Sequence, residues 1–124
     1  DPARIFSAVE EFFCDNAPEG IDVRVSRLEG GGPALWTAQN STIAKAAAQA
    51  MEDVAGKRCL YTLQGGSIPV TTALSQACGG EVVLMGFGLD SDNIHAPNEH
   101  FALKRVEQGF CTMIRLIEIL GHHA

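Results

Sequence analysis

The chain has 124 residues, 46% of them hydrophobic, which suits one compact fold with enough apolar content for a core and argues against disorder. Its formal charge of -6, with nine scattered Lys and Arg residues, argues against a nucleic-acid backbone as partner, because phosphate binding needs clustered basic side chains. No apolar run reaches the roughly 18 residues of a membrane span, and there is no secretory signal pattern.

The first residue is Asp1 rather than Met, and Asp1-Pro2 reads as a helix N-cap followed by Pro at the first helical position. A cut piece of a longer protein is the expectation, with removal of leading residues by processing as the other explanation. Ile5, Val9, Phe12 and Phe13 then fall on one side of an amphipathic helix that ends at Asn16-Ala17-Pro18-Glu19-Gly20. Ile21-Asp22-Val23-Arg24-Val25-Ser26 alternates apolar with polar, the pattern of a strand with one wet face. Gly30-Gly31-Gly32-Pro33 follows, and a domain boundary is expected there, separating residues 1–30 from 31–124. A lone helix and strand bury too little surface to stand alone, so residues 1–30 need further structure to finish against.

Beyond the boundary, Asn40-Ser41 caps a predicted helix with Ile43, Ala47, Ala50, Met51 and Val54 on one face, closed by Gly56. Cys59-Leu60-Tyr61-Thr62 is a predicted short strand, and Gln64-Gly65-Gly66-Ser67-Ile68-Pro69 turns into a helix running to Cys78-Gly79-Gly80. Val82-Val83-Leu84-Met85 is continuously apolar, as in a strand of a parallel sheet covered on both faces. From Glu99 the period becomes helical, through Leu103, Val106, Phe110, Met113, Ile117 and Leu120. The pattern predicts an α/β fold: a three-layer sandwich with parallel strands near Cys59 and Val82, right-handed crossovers, and the half-wet strand near Val23 outside that sheet. Cys14, Cys59, Cys78 and Cys111 lie far apart without a CxxC pair, each in an apolar segment. They are expected to be buried free thiols, which favours a reducing, cytoplasmic compartment.

Two loops carry candidate chemistry. Gly65-Gly66-Ser67 offers backbone N–H groups and a hydroxyl at a helix start, suited to a carboxylate; Ser67 is equally a plain N-cap, and the two roles are compatible. Gly86-Phe87-Gly88-Leu89-Asp90-Ser91-Asp92-Asn93-Ile94-His95-Ala96-Pro97-Asn98-Glu99 follows the carboxyl end of the predicted buried strand, where ligands bind in open α/β sheets. His95 there is either a metal ligand or an unligated loop histidine. Asn98 and Glu99 either cap the following helix or orient His95 by hydrogen bonding. His100, His122 and His123 read as surface residues, and Gly30-Gly31-Gly32 lacks the Lys-Ser/Thr pair of a phosphate loop.

The string from Phe87-Gly88 through Asp90-Ser91-Asp92 to His95-Ala96-Pro97-Asn98-Glu99 resembles the last metal-ligand loop of the dinuclear zinc peptidases that include carnosinases, glutamate carboxypeptidases and succinyl-diaminopimelate desuccinylases. Gly65-Gly66-Ser67-Ile68-Pro69 is similar to the substrate-site motif of that family's dipeptidase branch. Ala96 stands where the family commonly has Ser, and Leu63-Gln64 where its dipeptidases often carry Arg and an acidic residue. The resemblance implies hydrolysis of peptide or acyl-amide bonds next to a free carboxylate by a water that two zinc ions activate, with a Glu as general base. It implies His95 as a metal ligand, Gly65, Gly66 and Ser67 at the substrate, and the remaining ligands and the base upstream of Asp1. It also implies that residues 1–30 end an inserted lid and dimerisation domain of α+β type, that 31–124 are the C-terminal part of the catalytic domain, that the protein forms a homodimer through the insertion, and that the fragment alone is inactive. The partner implied is a small peptide or N-acyl amino acid. The alternative is a non-catalytic α/β binding or assembly module, in which Gly65-Gly66-Ser67 holds a small anion and His95 holds nothing.

Overall fold

The computed structural model describes residues 1–28, 32–64 and 68–122. Their regular structure is helical: α1 (Pro2–Asp15), α2 (Thr42–Ala55), α3 (Pro69–Cys78), a short 3-10 turn over Asp90–Asp92, and α4 (Leu103–Gly121). The chain divides into two compact units, Asp1–Trp36 with Gln64–Gly80, and Thr37–Leu63 with Glu81–Ala124. Among the described residues, no helix is long and apolar enough to cross a membrane.

In the first unit, α1 starts where the sequence places its cap. The Asp1 carboxylate accepts the Ala3 N–H at 2.9 Å, and Pro2 occupies the first turn, where its missing N–H costs nothing. The helix stops at Asn16, whose side-chain amide donates to the Phe12 carbonyl at 2.8 Å and competes with the next helical turn. Its apolar side is exposed within the described structure, from Ile5 through Val9 to Phe12 and Phe13, the last two stacked edge to face. α3 opens with Ile68 at the cap position and Pro69 in its first turn, and it ends on Gly79 in the left-handed conformation at φ 65°. Ser67, expected as the cap, lies outside the described residues.

The second unit is built on the packing of α2 against α4. Ser41 caps α2 through its hydroxyl, which accepts the Ala44 N–H, and Gly56 closes it at φ 65°, a left-handed position where a Cβ is disfavoured. Ala46, Ala47 and Ala50 on α2 and Leu116 on α4 form the buried centre, with Ile43, Val83, Met85, Ile119 and Leu120 packed around it. Small side chains on α2 let the two backbones approach. At the edge of this contact the Arg115 Nε donates to the Asp53 carboxylate at 2.6 Å, while the Gln49 amide donates to its other oxygen at 2.7 Å.

The helices agree with the expectations from sequence, but the α/β sandwich does not. Among the described residues there is no strand and no sheet, so the architecture is all-α and the parallel strands near Cys59 and Val82 are not formed. A strand is defined by a neighbour's N–H and C=O groups, and no backbone ladder joins the segments around 21–26, 59–62 and 82–85. The apolar run at Val82–Met85 is used differently. Its alternate side chains Val83 and Met85 cover the α2–α4 centre while Leu84 is exposed, and the Val82 carbonyl accepts the Thr37 hydroxyl instead of a strand N–H. Alternate residues of the run thus dock onto the helices. The cysteines are free, as expected, but only Cys59 is partly covered; Cys14, Cys78 and Cys111 are exposed.

Candidate functional site

The loop from Gly86 to Ala102 joins the segment that covers the helix pair to the start of α4. Asp92 organises it. This residue is 2% exposed, and its carboxylate accepts the Leu89 N–H at 2.8 Å and the Arg105 Nη2 at 2.6 Å. Its backbone carbonyl accepts the His100 N–H at 3.0 Å, closing residues 92–100 into a ring-like loop. Within that ring the Ala96 N–H donates to Asn93 and the Glu99 N–H to Ala96. The Arg105 guanidinium lies over the Phe101 ring, 4.6 Å from its centroid, a cation–π contact that shields the ion pair from solvent.

His95 sits at the exposed turn of this loop. Its φ is 61°, and Asn93 and Asn98 are also left-handed at 54° and 64°. Each such non-glycine residue costs roughly 1 kcal/mol and persists only where surrounding contacts impose it; Asn and His are among the side chains that tolerate it best. The His95 N–H donates to the Glu99 carboxylate at 3.4 Å, a long bond. Its ring nitrogens have no hydrogen-bond partner among the described residues and are accessible. Glu99, with Gly88, Asp92, Ile94, His100 and Phe101, lines an open recess of about 480 Å³ whose lining does not include His95.

Asn98 and Glu99 do not cap α4, because that helix begins at Leu103 with Ala102 at the cap position. A left-handed Asn98 cannot belong to a right-handed helix, so the helical period seen from Glu99 onward is interrupted. The Asn98 carbonyl instead contacts the His100 Nδ1 at 3.2 Å. Gly65, Gly66 and Ser67 lie outside the described residues. Sequence reasoning passed over the Asp92–Arg105 pair. Asp92 stands inside the motif, but its partner is 13 residues away and unmarked by any local pattern.

Two aspartates carry depressed pKa values. Arg105, and then the Leu89 N–H, hold Asp92 below the ordinary value of 3.8; Arg115, and then Gln49, do the same for Asp53. A depressed folded pKa stabilises the fold above the unfolded value, and the contribution is lost as pH falls through the folded one. Thermal stability is therefore expected to be flat down to about pH 5 and to fall below about pH 4. Melting curves across that range check it, and Asp53→Asn should flatten the acid limb in part.

A family model described as peptidase family M20/M25/M40 matches residues 5–119. The chain belongs to this family. No curated protein and no solved structure matches the chain. Membership makes it a hydrolase of the metallopeptidase type, in a family whose peptidases generally use zinc. The donor set tests how far this M20/M25/M40 chain fits such a metal. An accessible imidazole with unengaged nitrogens fits one ligand position. Among the described residues, no group of three or more His, Cys, Asp or Glu side chains could hold a metal ion, and a catalytic zinc takes about three protein ligands. His95 fits as a contributor, and these residues do not form a complete centre.

Proposed function

We propose that this chain is part of a zinc-dependent hydrolase that cleaves a peptide or acyl-amide bond next to a free carboxylate, in the manner of the family's dipeptidase-like branch. The carrying observation is a family match spanning both motifs, with the His95 imidazole exposed on a loop tied down at Asp92. His95 serves as one metal ligand, while Gly65, Gly66 and Ser67 hold the substrate carboxylate through N–H groups and a hydroxyl. Zinc bound there would supply Lewis acidity and lower the pKa of water. Glu99 steadies the His95 backbone, and Asn98 shapes the turn that follows. The remaining ligands and the general base are assigned to sequence preceding Asp1, and no hydrolytic step is derived from the residues described. The substrate is a small peptide or N-acyl amino acid, the working form a homodimer through an inserted domain, and the compartment reducing, in keeping with the free cysteines.

The test is zinc content and dipeptide hydrolysis, measured after dialysis on the 124-residue chain and on a chain extended upstream. The extended protein is expected to retain zinc and to lose activity to a chelator, and the 124-residue chain to do neither. Chelator-sensitive, zinc-restored hydrolysis by the short chain would place the ligands elsewhere than proposed. Dialysis leaving the extended protein free of zinc, with no amide hydrolysis, would favour the non-catalytic module.

A further inference from the structure

The geometry points to Arg105 as a positioning residue for His95, acting through Asp92 rather than by touching the imidazole. This rests on the proposed role of His95 as a metal ligand. Asp92 holds the loop by three of its atoms: Oδ2 fixes Leu89, Oδ1 meets Arg105, and the backbone carbonyl fixes His100. Everything between Asp92 and His100 is suspended from that anchor, including the left-handed residues Asn93, His95 and Asn98. Strained backbone of this kind relaxes when its anchor is released.

Arg105 secures the anchor because a carboxylate this well buried keeps its charge only against a paired cation. The arginine side chain is 12% exposed, and its Nε and Nη1 are buried without a hydrogen-bond partner among the described residues. The Asp92 contact is therefore what satisfies this guanidinium in the described structure, together with the Phe101 face. Because Arg105 sits in the first turns of α4, and α4 is fixed to α2 through Leu116, the rigid helix pair sets where the loop begins and ends. His100, 4.0 Å from the same Asp92 oxygen and 60% exposed, is too distant and too wet to take over.

Amide hydrogen exchange on the 124-residue chain tests this. In Arg105→Met, exchange at the Ala96, Glu99 and His100 amides is expected to accelerate by about tenfold or more, while α2 amides keep their protection. Arg105→Lys keeps the charge without the planar fork and should accelerate the same amides by about threefold. Loop exchange within twofold of the parent chain in a folded methionine variant overturns the inference. If the methionine variant unfolds, the lysine variant decides: selective loop acceleration supports positioning, and unchanged exchange overturns it. Zinc bound to the extended protein separates this from the underlying reading. Loss of zinc affinity by about tenfold in Arg105→Met supports positioning. Full retention of zinc by a variant lacking the His95 imidazole overturns the ligand assignment itself, whatever the loop exchange shows.

Discussion

His95→Ala in the extended, zinc-loaded protein is expected to release metal and to lower amide hydrolysis by on the order of 10³-fold. Lewis-acid stabilisation of the reacting carbonyl is worth several kcal/mol, and each ~1.4 kcal/mol is tenfold in rate. The fold should survive, because the His95 side chain is exposed and carries no packing. Its backbone complicates the alanine variant: at φ 61°, Ala is strained where His was tolerated. His95→Asn is the control, since Asn adopts the left-handed conformation readily but offers a poor zinc ligand. Loss of metal in both variants assigns the effect to the imidazole. If His95→Asn keeps its zinc and rate, the histidine contributes through backbone geometry and the metal reading fails. Ser67→Ala should behave differently, raising KM by about tenfold with kcat nearly kept, as expected for binding lost equally in ground and transition states.

The helices were legible because their signals are local. Asp1-Pro2, Ser41, Gly56 and Gly79 mark ends through side-chain oxygens and left-handed glycines that act within a few residues. The segments around 21–26, 59–62 and 82–85 read as strands and form none, since a β-ladder is a relation between distant backbones that a local pattern does not carry. Val82–Met85 shows the ambiguity: the same continuous apolar run fits a strand covered on both faces or a strip laid across two helices with only alternate residues covered. At the site, the motif drew attention to His95, which the structure places on an exposed left-handed turn. What holds the loop was not legible, because Arg105 belongs to the period of α4, where a charged residue ordinarily reads as solvent-facing. Glu99 misled for the opposite reason. Its position suggested a helix start, and a left-handed Asn98 delays that start to Leu103.

Leu116→Ala should be the most damaging single substitution in the second unit. Among the described residues, the buried hydrophobic side chains are Ala44, Ala46, Ala47, Ala50 and Leu116, so Leu116 is the one large side chain among them, with Ile43, Val83, Met85, Ile119 and Leu120 partly buried around the centre. Truncating a buried leucine costs its transfer free energy and leaves a cavity whose price depends on how far neighbours relax. Here the fully buried partners on α2 are alanines, which have no rotamers to swing inward, so relaxation is left to the partly buried side chains at the rim, and α2 is held at its edge by Asp53 and Arg115. The cost should therefore lie in the upper part of the usual range, about 3–5 kcal/mol. Small domains often have only about 5 kcal/mol in total, so the variant should be largely unfolded or lose most of its urea midpoint. Leu103, on the same helix but 85% exposed, provides the contrast, and Leu103→Ala should change stability by less than about 0.5 kcal/mol. Urea titrations followed by helical circular dichroism measure both. Equal midpoints for the two variants would mean that the α2–α4 contact does not hold this unit together, and with it would go the rigid base from which Arg105 reaches the His95 loop.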